Sequence, residues 1–274
     1  MTIQPSEPKH LYIDETEPRL HVADWGGSGP PVLLLHGLTG RSTGWGDVAR
    51  QLGLHFRPVA LDLRGHGESG RPVSGYNPEA LASDVLRVLD ALDIRRAHLI
   101  GHSLGGRIAF DFAAAFPQRV ERLIIEEAHP APYEGAGSAY AQRMAALSVR
   151  RPDREAWAAY LMTTRGESSA RWYLQSLDAV DDEGVAHWAF SPASIVAMAQ
   201  QSLEAAAWTA FSAVKCPVLL LIGEHSDRDV DRHVVRMKAV QPDLKVRTIA
   251  GTGHWIHGDA PHEYVTLVED FFRY

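Results

Sequence analysis

A chain of 274 residues, 45% hydrophobic and 22% charged, can bury an ordinary core without metal or disulfide staples, which excludes extensive disorder and fits one α/β domain with an inserted segment. The net charge of -7 is spread without a long run of one sign, which argues against a nucleic-acid or anionic-membrane surface and points to a neutral, small partner. The single cysteine, Cys216, excludes an internal disulfide, and no stretch approaches the roughly 20 apolar residues of a membrane span. The opening MTIQPSEPKH lacks the basic and apolar blocks of a secretory leader, so the expectation is a cytoplasmic protein, monomeric or homo-oligomeric.

Residues 10–13 and 19–23 alternate apolar and polar side chains around a turn-like stretch, as an edge hairpin does. Val32-Leu33-Leu34-Leu35 is continuously apolar and is broken by His36-Gly37, the pattern of a strand buried on both faces. The same design recurs at 58–61, 97–100, 123–125, 218–222 and 246–249, with helix-period segments at 78–92, 104–116, 230–240 and 261–272. Strand and helix alternate, which predicts a mostly parallel sheet covered on both faces. From 130 to 211 no buried-strand run occurs, and alanine-rich, tryptophan-bearing segments at 140–147, 154–162, 169–177 and 192–208 predict a helical cap inserted into a core of residues 1–129 and 212–274.

The strand at 97–100 runs into Gly101-His102-Ser103-Leu104-Gly105-Gly106 and then a helix. A serine in such a turn takes a strained backbone conformation that lifts its hydroxyl clear of the sheet, and the glycines remove side chains that would clash. The N–H of Leu104, at the helix start, can hold an oxyanion. A second donor is expected from Leu38, after Leu35-His36-Gly37, with His36 itself a structural hydrogen-bonder.

The base for Ser103 is expected in Ala250-Gly251-Thr252-Gly253-His254-Trp255, where His254 occupies a short glycine loop beyond a strand. His66 and His102 read as structural, and His257 as facing the cap or solvent. The acid is sought in Gly223-Glu224-His225-Ser226-Asp227-Arg228-Asp229, where Asp227 is the choice and Glu224 and Asp229 read as solvated. Glu126-Glu127, after the strand at 123–125, is the rival, with Glu127 as the alternative acid. Both choices keep the order serine, acid, histidine.

Four segments together, Leu35-His36-Gly37, Leu61-Asp62-Leu63-Arg64-Gly65-His66-Gly67-Glu68-Ser69, the Ser103 turn and Gly253-His254-Trp255, resemble the α/β-hydrolase superfamily over nearly the whole chain. The resemblance implies an eight-stranded mostly parallel sheet with helices on both faces, a helical cap between the sixth and seventh strands, and a triad of Ser103, Asp227 and His254. In that superfamily the acid loop often reads glycine, two residues, aspartate. That would place the carboxylate at Ser226, so the acid is shifted by one residue here or supplied by Glu127. The serine nucleophile excludes the members that form an alkyl ester on aspartate.

The expected reaction is hydrolysis of a small hydrophobic carboxylic ester or lactone through an acyl-enzyme, with no metal and no organic cofactor. Two readings compete: a cofactor-free carbon-carbon hydrolase, hydroxynitrile lyase or perhydrolase on the same fold, and a small-molecule receptor, against which the intact Ser103 and His254 argue. Trp255, Trp157 and Trp188 are the expected pocket aromatics, while most cap tryptophans read as packing.

Overall fold

The computed structural model describes residues 7–13, 16–226 and 229–273. The sheet is built from β1 (Lys9–Ile13), β2 (Leu20–Asp24), β3 (Pro31–Leu35), β4 (Arg57–Asp62), β5 (Ala97–His102), β6 (Val120–Glu126), β9 (Val218–Gly223) and β10 (Lys245–Ile249), with β7 (Leu177–Val180) and β8 (Ala186–Trp188) standing apart in the inserted region. Its order is β1-β2-β4-β3-β5-β6-β9-β10, a single eight-stranded sheet. Only β2 runs against its neighbours, β1 and β4, and every other pairing is parallel.

Continuous apolar runs form the inner strands because both faces are covered, whereas the edge strands β1 and β10 carry polar, largely exposed residues, so the segment expected at 246–249 is a strand but not one buried on both faces. In β3, Val32 and Leu34 point to one helical layer and Leu33 and Leu35 to the other, and all four are fully buried. One layer is α1 (Gly46–Leu52) with α11 (Pro261–Arg273), whose Tyr264, Val268 and Phe272 meet Val32 and Leu34. The other is α2 (Pro78–Ala91) with α3 (Leu104–Ala115), whose Val85, Ile108 and Phe112 belong to the same cluster as Leu33 and Leu35. Full burial of each such side chain contributes about 1.5–3 kcal/mol. Asn77 starts α2 by accepting the Ala80 N–H at 2.9 Å, with Pro78 at the first helical position.

Between β6 and β9 lie α4 (Ala136–Leu147), α5 (Arg154–Arg165), α6 (Glu167–Leu174), α7 (Pro192–Met198) and α8 (Trp208–Ala213), and the chain then continues through α9 (Val230–Val240) and α10 (Ile256–Asp259). The inserted region is not wholly helical as predicted, since β7 and β8 pair as a short antiparallel hairpin. Its turn is closed by the Asp181 carboxylate, which accepts the Glu183 and Val185 N–H groups at 3.0 and 2.9 Å. Nor is 192–208 one helix: α7 passes into a π turn over Ala199–Leu203 and stops before α8. There the buried Arg107 guanidinium draws in the Ala205 carbonyl at 2.7 Å, and the Ala207 N–H turns to the Pro130 carbonyl at 2.8 Å. No helix among the described residues is long and apolar enough to cross a membrane.

Candidate active site

The parallel strands all end at one edge of the sheet, and the loops leaving β3, β5, β6 and β10 converge there. Ser103, between β5 and α3, has φ 54° and ψ -116°, a left-handed conformation costing of order 1–3 kcal/mol in a residue with a Cβ. Packing holds it there. The Ser103 N–H donates to the Glu126 carbonyl at 2.8 Å, and its own carbonyl accepts the Gly106 and Arg107 N–H groups at 3.0 and 3.2 Å. A Cβ on Gly101 would lie 2.2 Å from the Gly105 oxygen, and one on Gly105 2.2 Å from the Leu35 oxygen, so strand and helix approach this closely only through glycine.

The loop after β3 faces that turn. A Cβ on Gly37 would meet the His102 ring at 2.7 Å and the Ser103 Cβ at 3.3 Å. Two buried histidines fix this loop: His36 donates through Nδ1 to the Gly37 carbonyl (2.8 Å) and accepts the Leu63 N–H at Nε2 (3.1 Å), and His66 donates through Nε2 to the Leu38 carbonyl (2.5 Å). Burial pulls the His36 imidazole down to about 3, so it stays neutral, as its one-donor, one-acceptor pattern requires. Among the described residues the Leu38 and Leu104 N–H groups have no protein acceptor, and both residues line space reached by Ser103.

His254 follows β10, and its Nδ1 lies 3.0 Å from Oε2 of Glu127, whose side chain is fully buried. Glu127 follows β6 with φ 56°. Its Oε1 accepts the Gly223 N–H at 2.7 Å and its Oε2 accepts the Ser226 hydroxyl. The serine at the position where a carboxylate is often found thus serves the carboxylate of the next strand. Asp227 lies outside the described residues. Glu224 is exposed and accepts the Gly251 N–H at 2.8 Å.

His102 and His257 are structural in different ways. His102, held neutral by burial, donates through Nε2 to the His254 carbonyl at 2.8 Å. His257 does not face solvent, though its ring meets that of Trp172 on α6 edge to face at 6.1 Å between centroids. It is 2% exposed because α10 turns it inward, where its Nδ1 meets the Glu126 carboxylate at 2.7 and 2.9 Å.

Ser103, His254, Leu38 and Trp255 share a cavity of about 330 Å³. Its outer wall comes from the region inserted between β6 and β9: Tyr140 and Arg143 one turn apart on α4, Arg165 at the end of α5, and Ser168, Trp172 and Tyr173 on α6. A second lobe of about 180 Å³ shares Ser103, Tyr140 and Arg143 and is bounded by Leu104, Ala136 and Leu203. Trp157 and Trp188 line neither lobe. They are buried within the inserted region, packed edge to face with ring centroids 5.2 Å apart, because the β7–β8 hairpin places Trp188 under α5.

The two arginines were missed from sequence because each sits on an alanine-rich helix where a basic residue reads as solvated surface. Neither pairs with a carboxylate among the described residues; they stack on Tyr140 and Tyr173, and the buried Nε of Arg165 has no acceptor. Such a cationic, partly desolvated wall is suited to an anion. His10, His21 and Glu68, whose ligand atoms lie within 4.8 Å of one another, could hold a metal ion, but none of them lines either lobe.

A family model described as alpha/beta hydrolase fold matches residues 30–261. An uncharacterized protein of Mycobacterium tuberculosis is 46% identical over 102 residues, 37% of this chain and 30% of the relative, so the match spans less than a third of that relative's length. An sn-1-specific diacylglycerol lipase of Xenopus laevis is 30% identical over 256 residues, 89% of this chain and 80% of its own. Among solved structures, an E-2-(acetamidomethylene)succinate hydrolase superposes with a TM-score of 0.87 at 27% identity, covering 97% of this chain and 100% of that one.

Proposed function

Because the chain belongs to the α/β-hydrolase fold family over residues 30–261, we propose that it is a serine hydrolase acting on a small carbonyl substrate that carries a carboxylate. One observation carries this reading: Ser103 and His254 open into a single cavity whose cap wall presents Arg143 and Arg165, neither of which has a carboxylate partner among the described residues.

In the proposed mechanism His254 takes the Ser103 proton as the hydroxyl attacks the carbonyl, and Glu127 orients the imidazole through Nδ1 and stabilises its cation. The oxyanion rests on the Leu38 and Leu104 N–H groups. Collapse of the tetrahedral species returns the proton to the leaving group and leaves an acyl-enzyme, which water, activated by His254, hydrolyses. The scissile bond is a carboxylic ester or lactone, or an activated amide. The relative named for a succinate derivative supports an acidic substrate, and the lipase relative supports ester chemistry.

The expectation of a purely hydrophobic substrate changes here. Trp172 and Trp255 supply apolar walls, while Arg143 and Arg165 select a charged end. A panel of p-nitrophenyl acetate and mono-p-nitrophenyl succinate tests this. Ser103→Ala is expected to abolish turnover of both. Arg143→Gln and Arg165→Gln are expected to raise KM for the succinate ester by about 10- to 100-fold, the loss of one charge-assisted hydrogen bond, and to leave the acetate within about threefold. Unimpaired turnover by Ser103→Ala overturns the reading. Equal effects on both esters overturn the acidic substrate.

A further inference from the structure

The end of β6 carries two adjacent carboxylates, and the loop and helix after β10 carry two histidines three residues apart. Glu127 takes Nδ1 of His254 at 3.0 Å. Glu126 takes Nδ1 of His257 at 2.7 and 2.9 Å, and its Oε1 also accepts the His257 main-chain N–H at 3.1 Å. Successive residues at a strand end point to opposite sides, so the Glu-Glu pair grips one segment at two places.

The second pair is sealed. Glu126 is 0% and His257 2% exposed, and the Trp45 ring stacks on His257 at 3.9 Å between centroids and 17° between planes. The Trp255 indole Nε1 donates to Nε2 of His257 at 2.8 Å. An indole N–H is only a donor, so Nε2 carries the lone pair and the proton sits on Nδ1, directed at Glu126. Burial, which pulls the His257 imidazole down to about 3, agrees with a neutral ring. The Glu126 carbonyl also accepts the Ser103 N–H at 2.8 Å. One residue therefore ties the nucleophile turn through its main chain and the histidine segment through its side chain.

We propose that Glu126 and His257 are positioning residues: a second carboxylate–imidazole pair that fixes the segment carrying His254 and holds the Trp255 indole against the cavity. This rests on the hydrolase reading above. The pair touches no reacting atom. It acts through His254, by setting the backbone from which that imidazole reaches Ser103, and through Trp255, by occupying its indole N–H.

The test is a double-mutant cycle on the full-length protein with p-nitrophenyl acetate. His257→Ala is expected to lower kcat by about 10- to 100-fold, the scale of a small misplacement of a catalytic group, with the melting transition still above the assay temperature. His257→Asn, whose amide N–H replaces Nδ1–H toward Glu126, is expected to recover most of that loss. In a His254→Ala background, His257→Ala is expected to change residual turnover by less than twofold, because a residue that acts through His254 has nothing left to position. An unchanged kcat in His257→Ala overturns the proposal, as does an equal loss in both backgrounds. Failure of His257→Ala, His257→Asn and Glu126→Gln alike to fold also overturns it, in favour of a purely structural pair. Ser103 dependence measured alongside separates these results from failure of the hydrolase reading, which Ser103→Ala alone decides.

Discussion

Glu127, whose Oε2 lies 3.0 Å from His254 Nδ1, is the carboxylate that the proposed mechanism uses in place of one sought in the loop after β9. A carboxylate after β9 is the ordinary expectation, yet Ser226 in that loop donates its hydroxyl to Glu127 after β6. The two positions are far apart in the chain but adjacent in space because β6 and β9 pair directly. Glu127→Gln keeps the size and removes the charge facing His254 Nδ1, and kcat/KM is expected to fall by about 10³- to 10⁴-fold, while Asp227→Asn stays within about tenfold. Parallel kinetics of the two variants check this, and the larger loss in Asp227→Asn would return the role to that residue. Ser103 and His254 were legible because each lies in a glycine-flanked motif of a few residues. Glu127 could only be kept as an alternative, since nothing local distinguishes it from Glu126. Arg143 and Arg165 left no local signal at all; their meaning comes from where α4 and α5 end up over the sheet.

At the level of elements, the inner strands were readable because burial on both faces forces continuous apolar runs, while β10, an edge strand with Lys245, Arg247 and Thr248 exposed, forms without such a run. The β7–β8 hairpin was not, since its strands of 4 and 3 residues are too short to show alternation. The joint between β3, β5 and α3 is a tight contact near the site. A Cβ on Gly105 would lie 2.2 Å from the Leu35 oxygen, far inside contact distance of backbone that cannot move aside, whereas one on Gly106 would meet the Ala128 Cβ and the Gly101 oxygen no closer than 3.0 Å. Gly105→Ala is expected to cost about 3 kcal/mol or more, or to prevent soluble expression, and Gly106→Ala about 1 kcal/mol. Urea unfolding of both variants measures the difference, and equal midpoints would show that the strand–helix joint is looser than its geometry.

Across the whole molecule, buried titratable groups set the response to acid. Burial pulls His36, His102 and His257 down to about 3 and His98 to about 4, and lowers His66, so each stays neutral in the fold where the unfolded chain would take a proton below about 6.5. Their contribution is present above that value and is lost as pH falls toward the folded values. Burial raises Asp111 and Glu126 to about 7, which opposes the trend, because the folded state keeps two protons that the unfolded chain releases above about 4.5. Five histidines outweigh two carboxylates. The melting temperature is expected to fall by about 5 °C or more between pH 7 and pH 5, as scanning calorimetry would record; a flat or rising profile would show that these histidines are protonated in the fold.

Ser103 lines both lobes, and under the proposed mechanism this has a consequence for what the protein makes as well as for what it breaks. In the proposed acyl-enzyme, departure of the first product from one lobe would leave the acyl group in the other and the emptied space open to whichever small acceptor enters it. Water is the most abundant acceptor and hydrolysis the default outcome. An added alcohol or amine that fits the vacated lobe competes for the same acyl group, so product composition becomes a matter of acceptor concentration, with the free acid as one member of a series.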